Sequence, residues 1–258
     1  MVALSRLIDE VNRSVNARLV PWLLAGRCGR DPLNVAALRH VAVYPRLGIA
    51  YNRVKKNANS TTVVLLRELE CGHVEHEQLA KRNSLHLGKL SRPGLVRGLR
   101  FMVIVRNLFT RVLSAFLNKF AKPQYVERFR PFDLAPAGFA SFVDWLADGG
   151  LEADPHWDLQ TKLMLMPLDG YDDVIRFDRY RDELSRWLAA RGIDVEREPR
   201  ASSFRACRAA TSRADARLDD FYTPAVRQRV FRLYHGDFAA LGYAEELTVE
   251  RACGTKLP

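Results

Sequence analysis

The chain has little cysteine. Four stand in 258 residues, at Cys28, Cys71, Cys207 and Cys253, and no two form a CxxC pair. Zinc-site spacing is absent, and four free thiols are expected in a reducing compartment. Long apolar runs are missing too. The longest candidates, Leu19–Gly26 and Phe101–Val105, fall far short of the ~20 residues of a membrane span, and Pro21 interrupts the first. Arg6, Asp9, Glu10, Arg13 and Arg18 break up the first 20 positions, which argues against a secretory leader. A cytoplasmic location is expected, with at most peripheral contact with the inner membrane face. There are no internal repeats and no low-complexity tracts. No glycine stands between Lys55 and Thr62, and no GxxxxGK[ST] occurs, so there is no Walker A loop.

What is present fits a globular protein. Hydrophobic residues make up 48% of the chain and charged residues 27%, enough apolar material for one sizeable core. We expect a helical extension over 1–34 and a single domain over 35–258. Forty basic residues face 30 acidic ones, a net charge of +10. That balance calls for an anionic partner: phosphate, sulfate, nucleic acid or a membrane surface. The cations are scattered among acids rather than massed in a tail, which speaks against specific nucleic-acid binding.

Periodicity supplies the fold class. Leu4, Leu7, Ile8, Val11, Val15 and Leu19 recur at helical spacing, and Pro21 is expected to end that helix. The stripe fits packing on the core or on a partner copy, or a helix lying on a membrane surface. Gly48–Val54 is expected to hold a strand, followed by a polar loop and a helix from Thr61 to Leu69. Phe101–Val105 reads as a strand buried on both faces, with a helix over Leu108–Phe120. Further helices are expected around Phe139–Leu146, from Asp178 to Arg191, and after Thr223-Pro224, with a strand at Asp173–Phe177. Strands alternating with helices predict an α/β fold in three layers: a P-loop-like parallel sheet flanked by helices, with a largely helical C-terminal half.

In such sheets ligands bind beyond the carboxyl ends of the strands. Two ends carry chemistry. The first is Lys55-Lys56-Asn57-Ala58-Asn59-Ser60-Thr61-Thr62. A helix N-terminus, hydroxyls at Ser60, Thr61 and Thr62, and the charge of Lys56 would make a phosphate cradle. Asn59 is the residue expected to take the left-handed conformation that glycine usually fills. The same letters also fit an ordinary capped helix with solvated lysines. The second end is Arg106, followed eight residues later by Ser114, where a guanidinium and a hydroxyl can meet one anion. A surface arginine and a serine bonded to its own helix fit there as well.

Together these segments resemble the carbohydrate-type sulfotransferases of family 2. The family's R-V-P-K-x-G-x-T-[SN] stands here as Arg53-Val54-Lys55-Lys56-Asn57-Ala58-Asn59-Ser60-Thr61. Its V-R-[DN]-P-x-x-R-x-x-S-x-[YF] stands as Val105-Arg106-Asn107-Leu108-Phe109-Thr110-Arg111-Val112-Leu113-Ser114-Ala115-Phe116. His156-Trp157, Asp173–Tyr180 and Phe221–Tyr243 extend the similarity in order over roughly residues 45–243. Lys55 and Leu108 replace two family prolines, and the loop glycine is replaced.

The resemblance implies a sulfotransferase that uses 3′-phosphoadenosine 5′-phosphosulfate (PAPS), releases 3′,5′-bisphosphoadenosine (PAP) and needs no metal. Lys56, Asn57, Ala58, Asn59, Ser60 and Thr61 would hold the 5′ group, and Arg106 and Ser114 the 3′-phosphate, with Arg213 a further candidate. Lys56 would stabilise the leaving oxygen. His86, between the two motifs, would be the general base, in competition with Glu68, Glu70, His73, Glu75 and His76. His156 and Trp157 would line an acceptor cleft, and Trp157 fits a core position as well. The acceptor would be a hydroxyl of a glycan or glycolipid. Two other readings fit parts of the sequence: a nucleotide-dependent kinase, and a basic non-catalytic protein that binds nucleic acid or acidic polysaccharide.

Overall fold

The structure is a computed structural model, and it describes residues 2–27, 32–72, 74, 78, 80, 85–206 and 214–244. Helix α1 (Val2–Leu23) leads through short 3-10 turns to strands β1 (Val41–Tyr44) and β2 (Ile49–Asn52). Helix α2 (Asn59–Cys71), the short strand β3 (Leu85–His86) and strand β4 (Arg100–Val105) follow. Next come α3 (Leu108–Lys119), α4 (Pro123–Arg128), α5 (Pro136–Ala147), α6 (Gln160–Leu163) and strand β5 (Asp173–Arg176). Helices α7 (Tyr180–Ala189), α8 (Ser202–Ala206), α9 (Leu218–Phe221), α10 (Pro224–Leu233) and α11 (His235–Leu241) complete the described elements.

The strand order is β3-β1-β2-β4-β5. β2, β4 and β5 run parallel, and their connections are the helical crossovers that parallel pairing requires. β1 and β3 pair antiparallel, so the sheet is mixed rather than parallel. The reason is local. Val41-Ala42-Val43-Tyr44 forms a second strand before Ile49, and Pro45 to Gly48 turn the chain back, with Gly48 at φ 65°. That hairpin lies where one strand over Gly48–Val54 was expected.

Both faces of the sheet are covered. Phe101, Val103 and Val105 face one core with Phe109, Phe116, Phe142 and Trp157. Met102 and Ile104 face the other with Leu65, Leu66, Leu184 and Phe204. β4 is therefore apolar at every position after Arg100. Trp157 belongs to the first core, fully buried and donating to the Gly150 carbonyl at 3.0 Å, and does not line a cleft.

Several boundaries move. Pro21 lies inside α1, because a proline in the last turn removes a single bond and Leu24 N–H returns to the Val20 carbonyl at 3.0 Å. The apolar stripe of α1 faces outward, not onto the core. α2 begins at Asn59, two residues before the expected start. α7 is capped by Arg179 after a 3-10 turn, not by Asp178. The final helix is two, α10 and α11, parted at Tyr234; Thr223 does cap the first, accepting from Val226 N–H at 3.3 Å.

Candidate active site

Two strand-to-helix joints lie side by side at the carboxyl ends of β2 and β4. At the first, Lys56 (φ 70°) and Ala58 (φ 51°) are the only described non-glycine residues with positive φ. Asn59, expected in that conformation, is the first residue of α2. Ala58, where the resembled motif has glycine, is left-handed, at a cost of about 1–2 kcal/mol for a residue with a Cβ. It also caps α2, and no side chain caps that end. The first turn of α2 thus aims its N–H groups at the loop without a capping hydroxyl.

The loop's own asparagines tie it to the rest of the fold. Asn57, fully buried, donates to the Ile104 carbonyl at 2.7 Å and to Gln160 Oε1 at 2.5 Å. Arg53 Nε donates to Asn59 Oδ1 at 3.2 Å. The side chains of Asn57 and Asn59 therefore fix the loop, and only their main-chain N–H groups remain for an anion. Ser60 and Thr61 are half-buried in the first turn of α2. Thr62 bonds back to the Ala58 carbonyl at 3.0 Å and meets Tyr180 Oη at 2.9 Å.

The second joint is Arg106-Asn107, with Asn107 capping α3 by accepting from Phe109 N–H at 2.9 Å. Arg106 is 1% exposed. Its guanidinium donates to the Lys56 carbonyl at 3.0 Å, to Thr110 Oγ1 at 2.9 Å and to Asp215 Oδ1 at 2.9 Å, and lies 3.9 Å over the Phe177 ring. Ser114 is buried on α3 and forms no hydrogen bond with Arg106. Arg213 lies outside the described residues.

Arg111, one turn into α3, is fully buried. It donates to the carbonyls of Lys55 (3.1 Å), Asp158 (2.7 Å) and Pro155 (3.3 Å), and so ties the phosphate loop to the segment Pro155–Asp158. Gln160 closes the same frame, accepting from Arg106 N–H at 3.1 Å and donating to the Arg106 carbonyl at 2.7 Å.

Electrostatics follow from this crowding. Burial, then Arg106, Lys119, Arg111 and Lys122, push the Lys56 ammonium down to about 7. A lysine held there sits in positive potential that the local carboxylates do not cancel. Asp215 and Asp178 face Arg106 but do not act on Lys56 to any comparable degree. An incoming multivalent anion would relieve this excess, so the residues present fit an anionic ligand.

The family model described as "Sulfotransferase family" matches residues 39–244, which span both joints and the five-stranded sheet. The chain belongs to the sulfotransferase family. No curated protein and no solved structure matches it. The family makes this chain a sulfotransferase enzyme, and the kinase and non-catalytic binding readings fall away. Members generally use PAPS. Among the described residues no group of His, Cys, Asp or Glu is placed to hold a metal.

Three histidines, His40, His86 and His156, feel the cations of this loop, and two of them bear on catalysis. His86, on the edge strand β3, is pushed down to about 4 by burial and then by Arg53, Lys89 and Lys55. Its Nδ1 is buried without a hydrogen-bond partner. His156 follows Asp154, whose carboxylate contacts Nδ1 and accepts from His156 N–H at 3.0 Å. Burial lowers His156, the bond to Asp154 opposes that, Lys119 adds to the lowering, and the net shift is downward. Burial acts to raise Asp154, but the bonds from His156 outweigh it and hold that carboxyl below its usual range. Glu68 and Glu70 are buried on α2; Glu70 accepts the Arg46 and Leu47 N–H groups, far from a base's role. His73, Glu75 and His76 lie outside the described residues.

Reading the sequence missed three parts: Arg111, Gln160 and the Asp154–His156 pair. Arg111 had a visible signal, a lone cation inside the apolar stripe of α3. Gln160 and Asp154 had none, because their partners lie on other elements.

Proposed function

We propose that this sulfotransferase moves a sulfuryl group from PAPS to a hydroxyl of a carbohydrate or glycolipid. The observation that carries the reading is the cation cluster around Lys56, with Arg106 bonded to the Lys56 carbonyl. PAPS, when bound, supplies the activated sulfuryl group. Lys56 would hold a positive charge beside the leaving oxygen, where preorganised charge lowers a barrier most. The main-chain N–H groups from Asn57 to Thr61, with the Ser60 and Thr61 hydroxyls, would hold the 5′ group. Arg106 and Ser114 would meet the 3′-phosphate, with Arg106 giving up Asp215 to do so; Arg213 would join them.

The test is calorimetric titration with PAP beside 5′-AMP and ATP, on wild type and Arg106→Ala. Preference for PAP that disappears in the variant supports the donor assignment. Equal response to all three nucleotides would refute it. An acceptor screen with sulfated-glycan precursors and glycolipids then tests the acceptor class.

The acceptor hydroxyl must lose a proton. We assign that role first to His86, whose lone pair is available at neutral pH and which lies close enough to Arg53 and Lys55 to feel their charge. A second reading rests on one specific observation. Asp154 fixes Nδ1 of His156, leaving Nε2 as the accepting nitrogen, and Arg111 ties the Pro155–Asp158 segment to the phosphate loop. That arrangement follows the logic by which a carboxylate orients a histidine base. Transfer rates for His86→Ala and His156→Ala over a pH series separate the two: the true base loses rate and the acid limb of its profile, while PAP affinity stays unchanged.

A further inference from the structure

We propose that the outward face of α1 is a docking surface for a membrane containing anionic lipid. α1 is fastened by one side only. Asn16 is fully buried and donates to the carbonyls of Leu87 and Leu90, each at 3.0 Å. Val20 and the adjoining Leu24 are buried, and Asp9 pairs with Lys89 at 2.5 Å. The opposite side carries Leu7, Ile8, Val11, Val15, Leu19 and Trp22, all between 40% and 68% exposed. At 100° per residue these six fall within an arc of about 120°, and at 1.5 Å per residue they run for about 22 Å. A soluble surface rarely leaves so long an apolar stripe bare.

The charges around the stripe choose its occupant. Arg18 on α1, and Arg92 and Arg97 beside it, are exposed, and no carboxylate of a described residue pairs with them. The segment Pro93–Gly98 packs on α1, adds exposed Leu95, and lays the Arg97 guanidinium 5.2 Å from the Trp22 ring. Glu10 is the one exposed acid among the described side chains of α1, since Asp9 is bridged to Lys89. A second copy seated on this face would bring a second set of the same arginines to the same rim. Anionic headgroups would neutralise them. Trp22 beside a cation suits the boundary between headgroups and acyl chains. The contact is with the surface, for no helix among the described residues is long and apolar enough to cross a membrane. No residue of the stripe belongs to the proposed donor site, so its test and the test of sulfuryl transfer fail independently.

The experiment is co-sedimentation of the full chain with vesicles of phosphatidylcholine alone, or mixed with phosphatidylglycerol, at low and raised salt. Wild type is expected to bind the anionic vesicles at least ~10-fold better than the neutral ones, and to be released by salt. The double variant Val11→Glu/Val15→Glu should lose at least ~10-fold of that binding while keeping its melting temperature and its PAP affinity. Arg18→Glu/Arg97→Glu, which leaves the apolar stripe intact, should bind less and lose its salt dependence. Equal binding by wild type and both variants would overturn the proposal. So would no binding to either vesicle. Concentration-dependent dimers in sedimentation velocity, abolished by Val11→Glu/Val15→Glu without vesicle binding, would assign the face to a second copy instead.

Discussion

The two joints at the sheet's edge make the same turn from strand to helix by different means. After β4 the joint is conventional: Asn107 caps α3 with its own side chain. After β2 it is not. Lys56 and Ala58 are left-handed, Ala58 offers α2 no capping side chain, and the loop is tied down by Arg106, Arg111 and Gln160 from outside and by its own Asn57 reaching β4. A joint that satisfies itself is local architecture. The other has no capping side chain, is held by Arg106, Arg111 and Gln160, and is surrounded by cations.

The largest way to break this comparison is Arg111→Leu. It strands the carbonyls of Lys55, Asp158 and Pro155, and we expect a loss of about 3 kcal/mol or more. For a chain of this size that is a melting-temperature drop of roughly 6–12 °C, read by calorimetry. A drop within error would mean the loop holds itself. Lys56→Met should cut sulfuryl transfer about 100- to 1,000-fold with little change in melting temperature; unaltered turnover would remove Lys56 from the mechanism.

The pH dependence of PAP affinity sharpens the same contrast. Free Lys56 titrates at about 7. An anionic ligand binds the charged form and raises that value. Affinity should therefore be flat below pH 7 and fall, by up to about tenfold per pH unit, as pH rises above it. Proton uptake on binding, measured at pH 8 in buffers of different ionisation enthalpy, should vanish in Lys56→Met. Uptake that persists there would place the titration elsewhere.

The smallest effects fall on the caps. Asn107→Ala should cost about 1 kcal/mol. Ala58→Gly should move the other way, stabilising by up to about 1 kcal/mol as left-handed strain is relieved against added unfolded-state freedom. Destabilisation on placing glycine there would show that Ala58 carries no strain.

Much of the site's framework was legible. The apolar runs at Phe101–Val105 and Leu108–Phe116 predicted β4 and α3 closely, because helical and strand periods are written within a few residues. The two motifs located the joints. The hairpin of β1 was not legible, since short apolar runs do not declare their pairing direction. The left-handed position was placed one residue late, at Asn59 instead of Ala58, and that of Lys56 was not foreseen, because neither side chain gives a sign of positive φ. The stripe of α1 was seen as a helix face, but periodicity does not say what covers it. Asn16, in the middle of the buried side, decides which side packs inward by donating to two carbonyls 71 and 74 residues away.

The sequence by itself determined the order of elements, the family and the residues available for chemistry, because propensity, spacing and motif are properties of neighbours along the chain. The tertiary structure decided which cations gather around Lys56, which side chains hold the loop, and which side of α1 meets water. Burial and charge sum over groups that are close in space, and Arg111, Gln160 and Asp154 come close to the loop only when the chain has folded.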